Sequence, residues 1–399
     1  MEADVSDVYY DMYSVEINAD PYPVYRRLRD EAPIYYNDKQ DFFAVSRFED
    51  VEKGLLDAQT YISGKGAILE IIKAEIDIPP GVIIFEDPPT HTIHRRLLSR
   101  AFTPRRVAEL EPKIREFCSH SLDLLVGAEG FDFIADFGAQ MPMRVISMLL
   151  GIPESDQEAV RDHVDSTLRT KEGEPMQVSS DNFVTGERFA EFVDWRVDHP
   201  SDDIMTELLN VEFVDETGAT RKLRRTELLT YIEVLAGAGN ETTTRLIGWM
   251  AKVLAEHPDQ RADLVKDPSL IPAAVEEVLR FESPAPHVGR CIARQDLVVR
   301  DILVPEGSVM LFLLGSANRD YRKFPDGDTF DVHRDVRRHL TFGNGIHLCM
   351  GSALARMEGR IALEELLVRI PEWDIDMENA RLSPTSTVRG WETLPALVP

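Results

Sequence analysis

The sequence predicts a mainly α-helical fold with small β-sheets near its beginning and in its C-terminal third. Two observations carry this. Apolar residues recur with helical spacing from about residue 90 to 285, and alternating or β-branched apolar runs are confined to the two flanks. A third observation sets the organisation: no internal repeat and no Gly-, Ser- or Pro-rich linker divides the 399 residues, so 1–399 reads as one domain.

Each element follows in order. "PYPVYRRLRDEA" predicts a first helix, "FFAVSRFEDV" an alternating strand, and the residues after it a second helix. "ISGKGAILEIIKAEIDIPPGVIIFEDPP" is apolar but broken by Gly64, Gly66, Pro79, Pro80 and Gly81, which suits a binding loop or lid. "LRTKEGEPMQVSSDN" is a polar connection between helical stretches. The longest helix is expected from about Thr226 to His257. In "LVVRDILVPEGSVMLFLLG" two strands are expected, joined through Pro305 and Gly307, and a last β region in "LSPTSTVRGWETLPALVP".

The formal net charge is −26, which argues against general affinity for nucleic acid or anionic lipid. The acidic start lacks the basic head and apolar core of a signal peptide. Runs such as "VISMLLGI" fall short of a membrane span. The chain therefore reads as cytoplasmic and without a membrane anchor, and a monomer is expected. Its three cysteines, Cys118, Cys291 and Cys349, are scattered, which fits neither a disulfide framework nor a zinc site.

One cysteine is set apart by its surroundings. In "TFGNGIHLCMGSALARMEGR", Cys349 follows Gly343 and Gly345, precedes Gly351, and stands ahead of a helix whose stripe runs through Met357, Ile361, Leu363, Leu366, Leu367 and Ile370. Unpaired N–H groups at such a helix start favour a thiolate. The thiolate would serve as a nucleophile, with His347 as its base, or as a metal ligand. A glycine-flattened loop suits a flat macrocycle lying against the backbone, and thiolate is one of the few axial ligands of haem iron. The plainest alternative is a buried cysteine packing as a small hydrophobe.

"FGNGIHLCMG" matches F-G-x-G-x-H-x-C-x-G, and on these residues the chain resembles the cytochrome P-450 superfamily of haem-thiolate monooxygenases, in its soluble bacterial form. The resemblance implies a triangular helical prism around a buried haem b. Cys349 would be the iron ligand, His347 would contact a haem propionate, and Phe342, Gly343 and Gly351 would border the ring. "AGNETT" resembles the oxygen-activating segment, with Ala238 and Gly239 against the haem, Glu241 as the acid and Thr242 as the alcohol. Independently of the family, glycines at 237 and 239 in mid-helix each cost ~1 kcal/mol and demand a reason. Thr242 is also placed to hydrogen-bond the carbonyl of Ala238 four residues back.

Further matches follow the family order. "AVEEVLRF" supplies Glu277 and Arg280 as the scaffold pair, joined by Arg334 of "FDVHRD". "DPPTHTIHRRLL" supplies His91 and Arg95, with His94 as a less well aligned donor, and "HVGRCIAR" supplies Arg290, all toward the propionates. By the same resemblance Ile72, Ile84, Leu235, Ala238, Val288 and Trp391 are substrate-lining candidates. Ile68, Leu69, Ile71 and Val82 would roof the pocket, and His287 or Glu392 would fix a polar end.

The implied reaction inserts one oxygen atom from O2 into a hydrophobic small molecule such as a terpenoid, steroid, fatty acyl chain or aromatic. Electrons would come from NAD(P)H through a separate ferredoxin and ferredoxin reductase, since no flavin or iron–sulfur motif is present. Arg337, Arg338, Arg356 and Arg360 could form the docking patch, against the reading of ordinary solvated charges. A peroxide-driven peroxygenase of the same fold, a non-catalytic haem-binding sensor or carrier, and a cysteine hydrolase are the alternatives.

Overall fold

The computed structural model describes residues 7–161, 169–178, 189–293 and 296–399. The chain opens with α1 (Val15–Ala19), α2 (Tyr22–Glu31), β1 (Ile34–Asn37), β2 (Phe42–Val45), α3 (Phe48–Leu56), β3 (Tyr61–Ile62), α4 (Leu69–Ala74) and α5 (Thr90–Leu98). The body follows with α6 (Pro104–Glu109), α7 (Glu111–Asp123), β4 (Gly130–Asp132), α8 (Gln140–Leu150), α9 (Ala190–Asp198), α10 (Ile204–Asn210), β5 (Glu212–Val214), β6 (Thr220–Lys222), α11 (Arg225–Glu256), α12 (Pro258–Lys266) and α13 (Ile271–Phe281). The last part holds β7 (Val288–Ile292), β8 (Leu297–Val299), β9 (Ile302–Val304), β10 (Val309–Phe312), α14 (Leu314–Ala317), α15 (Ser352–Arg369), β11 (Asp374–Ile375), β12 (Arg381–Leu382), β13 (Trp391–Thr393) and β14 (Pro395–Leu397).

The largest sheet joins both ends of the chain in the order β1-β2-β10-β7-β3. β10 runs parallel to β2, with Leu311 opposite Ala44, and antiparallel to β7, with Met310 opposite Arg290. The run "VMLFLL" is apolar throughout because both faces of this strand are covered. Val309, Leu311 and Leu313 pack with Tyr10, Tyr25 and Leu28, while Met310, Phe312 and Leu314 pack with Phe48, Val51 and Leu55.

α11 is the axis of the helical body. Its C-terminal half contributes Leu246, Trp249 and Met250 to a core shared with α7, α13 and α15. The N-terminal half contributes Leu228, Tyr231 and Ile232 to a second core with α8 and α10. The helix starts where the Glu227 carboxylate accepts the Arg224 backbone N–H at 2.8 Å, closing the first turn. It then runs unbroken through both mid-helix glycines.

Three expectations are corrected. The strand read through "FFAVSRFEDV" stops at Val45, and Phe48 to Val51 begin α3, whose Phe48, Val51 and Leu55 follow a helical stripe. Two strands were expected between Leu297 and Phe312, and there are three. Arg300 and Asp301, both at positive φ, turn β8 back on β9 before β10 begins. The irregular segment from Ile62 to Pro89 holds α4 and a 3-10 turn at Ile83–Phe85. Of "LRTKEGEPMQVSSDN", the residues at 168 and 179–182 lie outside the described residues.

Candidate active site

The cysteine loop is built by backbone constraints. Gly343 sits at φ +71° and Gly345 at φ +68°, the left-handed region that disfavours a side chain. A Cβ on Gly345 would also lie 2.5 Å from the Leu55 carbonyl oxygen of α3. Asn344 accepts the Gly345 N–H, and the Cys349 N–H donates to the Phe342 carbonyl at 2.9 Å, closing the loop on itself. At Gly351 the Cβ position is open, with Cys349 Sγ the nearest atom at 4.0 Å.

α15 starts at Ser352, and the backbone N–H groups of Gly351 and Ser352 point at the Cys349 sulfur. Those donors, with Arg95 and Arg356, favour the thiolate, but desolvation by the surrounding protein is larger and pushes the thiol up. A cation on the sulfur would offset that cost. Cys349 is nonetheless exposed, whereas Cys118 and Cys291 are buried, so the plain core reading fits those two.

Across from the loop, Ala238 is exposed and Thr242 half-buried in the middle of α11, where Ala236, Asn240 and Glu241 are buried. α11 and α15 touch at Leu246 and Gly359, where a Cβ on the glycine would lie 3.2 Å from the leucine. On the N-terminal side of that contact Ala238, Leu348 and Cys349 are exposed, as residues flanking an open space between the two elements would be. As the spacing predicts, the Thr242 hydroxyl donates to the Ala238 carbonyl at 2.9 Å. At Gly239 a Cβ would lie 3.1 Å from the Ile146 side chain of α8, so close helix packing favours a residue without a side chain there, while the neighbouring Ala238 is exposed.

Two histidines and two arginines cluster beside the loop. The rings of His91 and His347 lie 4.3 Å apart, Ser63 Oγ is 3.0 Å from His347 Nε2, and Arg95 donates to the Leu348 carbonyl at 2.5 Å. Burial, followed by the charges of Arg290, His91 and Arg95, holds His347 down to about 3. Burial also takes Arg290 down to about 10, which the nearby Asp87 partly offsets. His91 is only 2% exposed, and neither ring nitrogen has a hydrogen-bond partner among the described residues. Buried imidazole nitrogens left unpaired beside two guanidinium groups fit a bound anionic group. His94 differs in that its Nδ1 is held by Glu86 at 2.8 Å, which leaves only Nε2 without a partner among the described residues. Ser63 and Asp87 are not legible in the sequence, because one serine and one aspartate carry no periodic or motif signal. Asp87 accepts the N–H groups of Ser63 and Gly64 at 2.9 and 2.8 Å and so shapes this cluster.

Behind the loop, Glu277 and Arg280 are fully buried and paired at 2.6 Å, with Arg334 on Glu277 at 3.2 Å. Arg280 also donates to the carbonyls of Asn318 and Gly327.

The lining candidates separate. Ile71, Val82 and Phe85 form a small cluster with Ile68 and Val234, which places the roof segment against α11 one turn before Ala238. Ile84 is 45% exposed and Val288 half-buried, while Leu235 lies in the second helical core. Leu69 and Ile72 pack in the core over the large sheet. Trp391 packs in the helical core beside Gly248, its ring tilted by 59° to that of Trp249 with centroids 5.4 Å apart. Glu392 is paired with Arg169, and His287 lies beside Ser386, with burial holding it down to about 4.

The four arginines around the loop all carry carboxylate partners. Arg337 pairs with Asp335 and Arg338 with Glu52, Arg356 with Glu276, and Arg360 with Glu111 and Glu364. Their charge is locally compensated, so the expected docking patch is not a free positive surface. Among the described residues no helix is long and apolar enough to cross a membrane.

Comparison with known proteins agrees with this geometry. The profile of the family described as Cytochrome P450 matches residues 262–387. Cytochrome P450 130 of Mycobacterium tuberculosis is 33% identical over 395 residues, covering 95% of this chain and 95% of its own. Cytochrome P450 CYP107DY1 of Priestia megaterium is 39% identical, covering 78% of this chain and 75% of its own. Among solved structures, CYP109Q5 from Chondromyces apiculatus superposes with a TM-score of 0.85 at 35% identity, with 98% of each chain covered. CYP109E1 from Bacillus megaterium, solved in complex with testosterone, gives a TM-score of 0.85 at 27% identity, with 96% of this chain and 99% of the other covered.

Proposed function

Since the chain belongs to the cytochrome P450 family and is a monooxygenase of that family, we propose that it inserts one oxygen atom from O2 into an apolar small molecule, drawing electrons from NAD(P)H through a separate ferredoxin and ferredoxin reductase in the cytoplasm. The family's haem supplies the oxygen activation when bound, and the protein supplies the ligand, the histidine–arginine cluster, the proton path and the pocket. The observation that carries the reading is the unpaired, buried His91 beside His347, Arg95 and Arg290, with Arg95 bonded to the Leu348 carbonyl and close enough to Cys349 for its charge to act on the sulfur.

Each residue then has a task at a stated atom. Cys349 Sγ holds the metal, helped by the N–H groups of Gly351 and Ser352. His91, Arg95, Arg290 and His347 take the two carboxylates of the cofactor. Phe342, whose ring carries the Arg356 guanidinium 4.4 Å from its centroid, stiffens the loop beside Gly343. Thr242 presents its hydroxyl at the space in the middle of α11, and Glu241 next to it provides the titratable group that a proton path needs. Ala238 keeps its face of α11 short enough for a small molecule to approach.

An apolar substrate is supported by the cluster of Ile68, Ile71, Val82 and Phe85 against Val234. The testosterone bound to the CYP109E1 neighbour is consistent with a steroid-sized apolar molecule. The reading is tested by screening steroids, terpenoids and fatty acids for a spin-state change in the loaded protein. The binders are then turned over with reduced ferredoxin under isotopically labelled O2. One labelled oxygen atom in the product is the expected result. Turnover with peroxide but not with reduced ferredoxin would favour the peroxygenase alternative.

A further inference from the structure

Glu241 is held by a residue that no motif points to. Arg245, one turn along α11, places Nη2 2.8 Å from Glu241 Oε1, and the two residues are only 7% and 4% exposed. An i,i+4 pair on a helix surface contributes ~0.2–0.5 kcal/mol and leaves both side chains mobile. This pair is different because the arginine is fixed at its other end. Its Nη2 also donates to Ser383 Oγ at 2.9 Å, and its Nη1 donates to the Trp391 carbonyl. Gly390 leaves the slot open, since a Cβ there would lie 2.6 Å from Arg245 Cδ. The guanidinium thus threads between α11 and the C-terminal segment from Ser383 to Trp391.

The consequence is an asymmetry between two adjacent residues. Thr242 is half-buried, with its hydroxyl on the carbonyl of Ala238 at the open face. Glu241 is turned onto a buried cation anchored outside the helix. We propose that Arg245 is a positioning residue for Glu241, fixing where the carboxylate stands and so coupling proton delivery to the C-terminal segment. The inference rests on the monooxygenase reading given above.

The test uses the haem-loaded protein and four variants: Arg245→Gln, Arg245→Lys, Glu241→Gln and the double variant Arg245→Gln with Glu241→Gln. Product formed per NAD(P)H is expected to fall roughly tenfold in Arg245→Gln, less than the ~10²–10⁴-fold that a general acid–base group supplies, because Glu241 is displaced and not removed. The solvent deuterium isotope effect should rise with it, and Arg245→Lys should recover part of the loss. In the Glu241→Gln background, Arg245→Gln should change neither quantity further. A readout independent of turnover is the urea midpoint of the loaded protein. The two single variants and the double variant should be non-additive, as expected for a direct contact.

Unchanged coupling and isotope effect in an Arg245→Gln protein with an unaltered ferrous–CO band would overturn the proposal. A loss of equal size in the Glu241→Gln background would overturn it too, by making Arg245 merely structural. Should Arg245→Gln fail to fold, Ser383→Ala removes a single tether, and a smaller change in the same direction is expected. No change there counts against the proposal. Failure of the underlying reading looks different: the parent protein itself would give no ferrous–CO band and no product.

Discussion

The imidazoles of His91 and His347, from α5 and from the cysteine loop, lie 4.3 Å apart, and among the described residues the His91 ring has no hydrogen-bond partner at either nitrogen despite being 2% exposed. An unpaired buried polar group is costly, so this one is best explained by a partner that arrives later. His91→Leu should therefore weaken haem retention more than it weakens the fold. Hydrogen bonds to charged groups contribute ~1.5–3 kcal/mol, which sets an expected tenfold to hundredfold faster loss of haem to an acceptor protein. An unchanged transfer rate would remove His91 from the cofactor edge.

Gly345 couples a left-handed backbone angle of +68° to a close approach on the Leu55 carbonyl. Gly345→Ala incurs both penalties, and strain of this kind costs about 1–3 kcal/mol per residue. Thermal unfolding should show a lower midpoint, and the fraction of protein recovered with haem should fall. Gly351→Ala, at a position with ordinary backbone angles and open space, should leave the haem-free midpoint unchanged.

Glu277 and Arg280 are both 0% exposed and bonded at 2.6 and 2.7 Å. Glu277→Gln leaves a buried guanidinium without its counter-charge, which costs about 3–5 kcal/mol. Chemical denaturation should register a loss of that size, or the variant should be recovered only as insoluble protein. An effect under about 1 kcal/mol would mean that Arg334 and the carbonyls of Asn318 and Gly327 suffice.

Burial holds His287 down to about 4, with Glu70 pulling it partly back up. An imidazole in the unfolded chain titrates near ~6.5. Between those values the folded chain binds fewer protons than the unfolded one, so stability is lost as pH falls through that window. His287→Gln removes the effect. Its unfolding midpoint should decline less steeply than the parent's on acidification from about 6.5 to about 4. Parallel declines would contradict the assignment.

The features legible in the sequence are those that are local in it. The cysteine loop, the acid–alcohol pair on α11 and the Glu277–Arg280 pair each fall within a few residues, so spacing exposes them. Thr242 reaching back to Ala238 follows from helix geometry in the same way. The illegible features depend on where distant segments meet. That Trp391 meets Trp249 in the helical core, and that Gly239 lies against Ile146 of α8, are contacts between distant segments that spacing does not reveal. Arg338 and Arg356 near the loop read as part of a basic patch because their partners, Glu52 and Glu276, lie far off in sequence, whereas Arg337 and Arg360 also have local partners in Asp335 and Glu364. Arg245 is readable as an i,i+4 partner of Glu241, but its anchor on Ser383 and Trp391 is not.

The central claim is that Cys349 is the sulfur ligand of the haem iron, and the ferrous–CO difference spectrum tests it most directly. The parent protein should give the band position of thiolate ligation, and Cys118→Ser and Cys291→Ser should keep it. Cys349→Ser should lose the band or shift it to the position of a non-thiolate haem. An unaltered band in Cys349→Ser, or a fully folded parent protein that takes up no haem, would contradict the account.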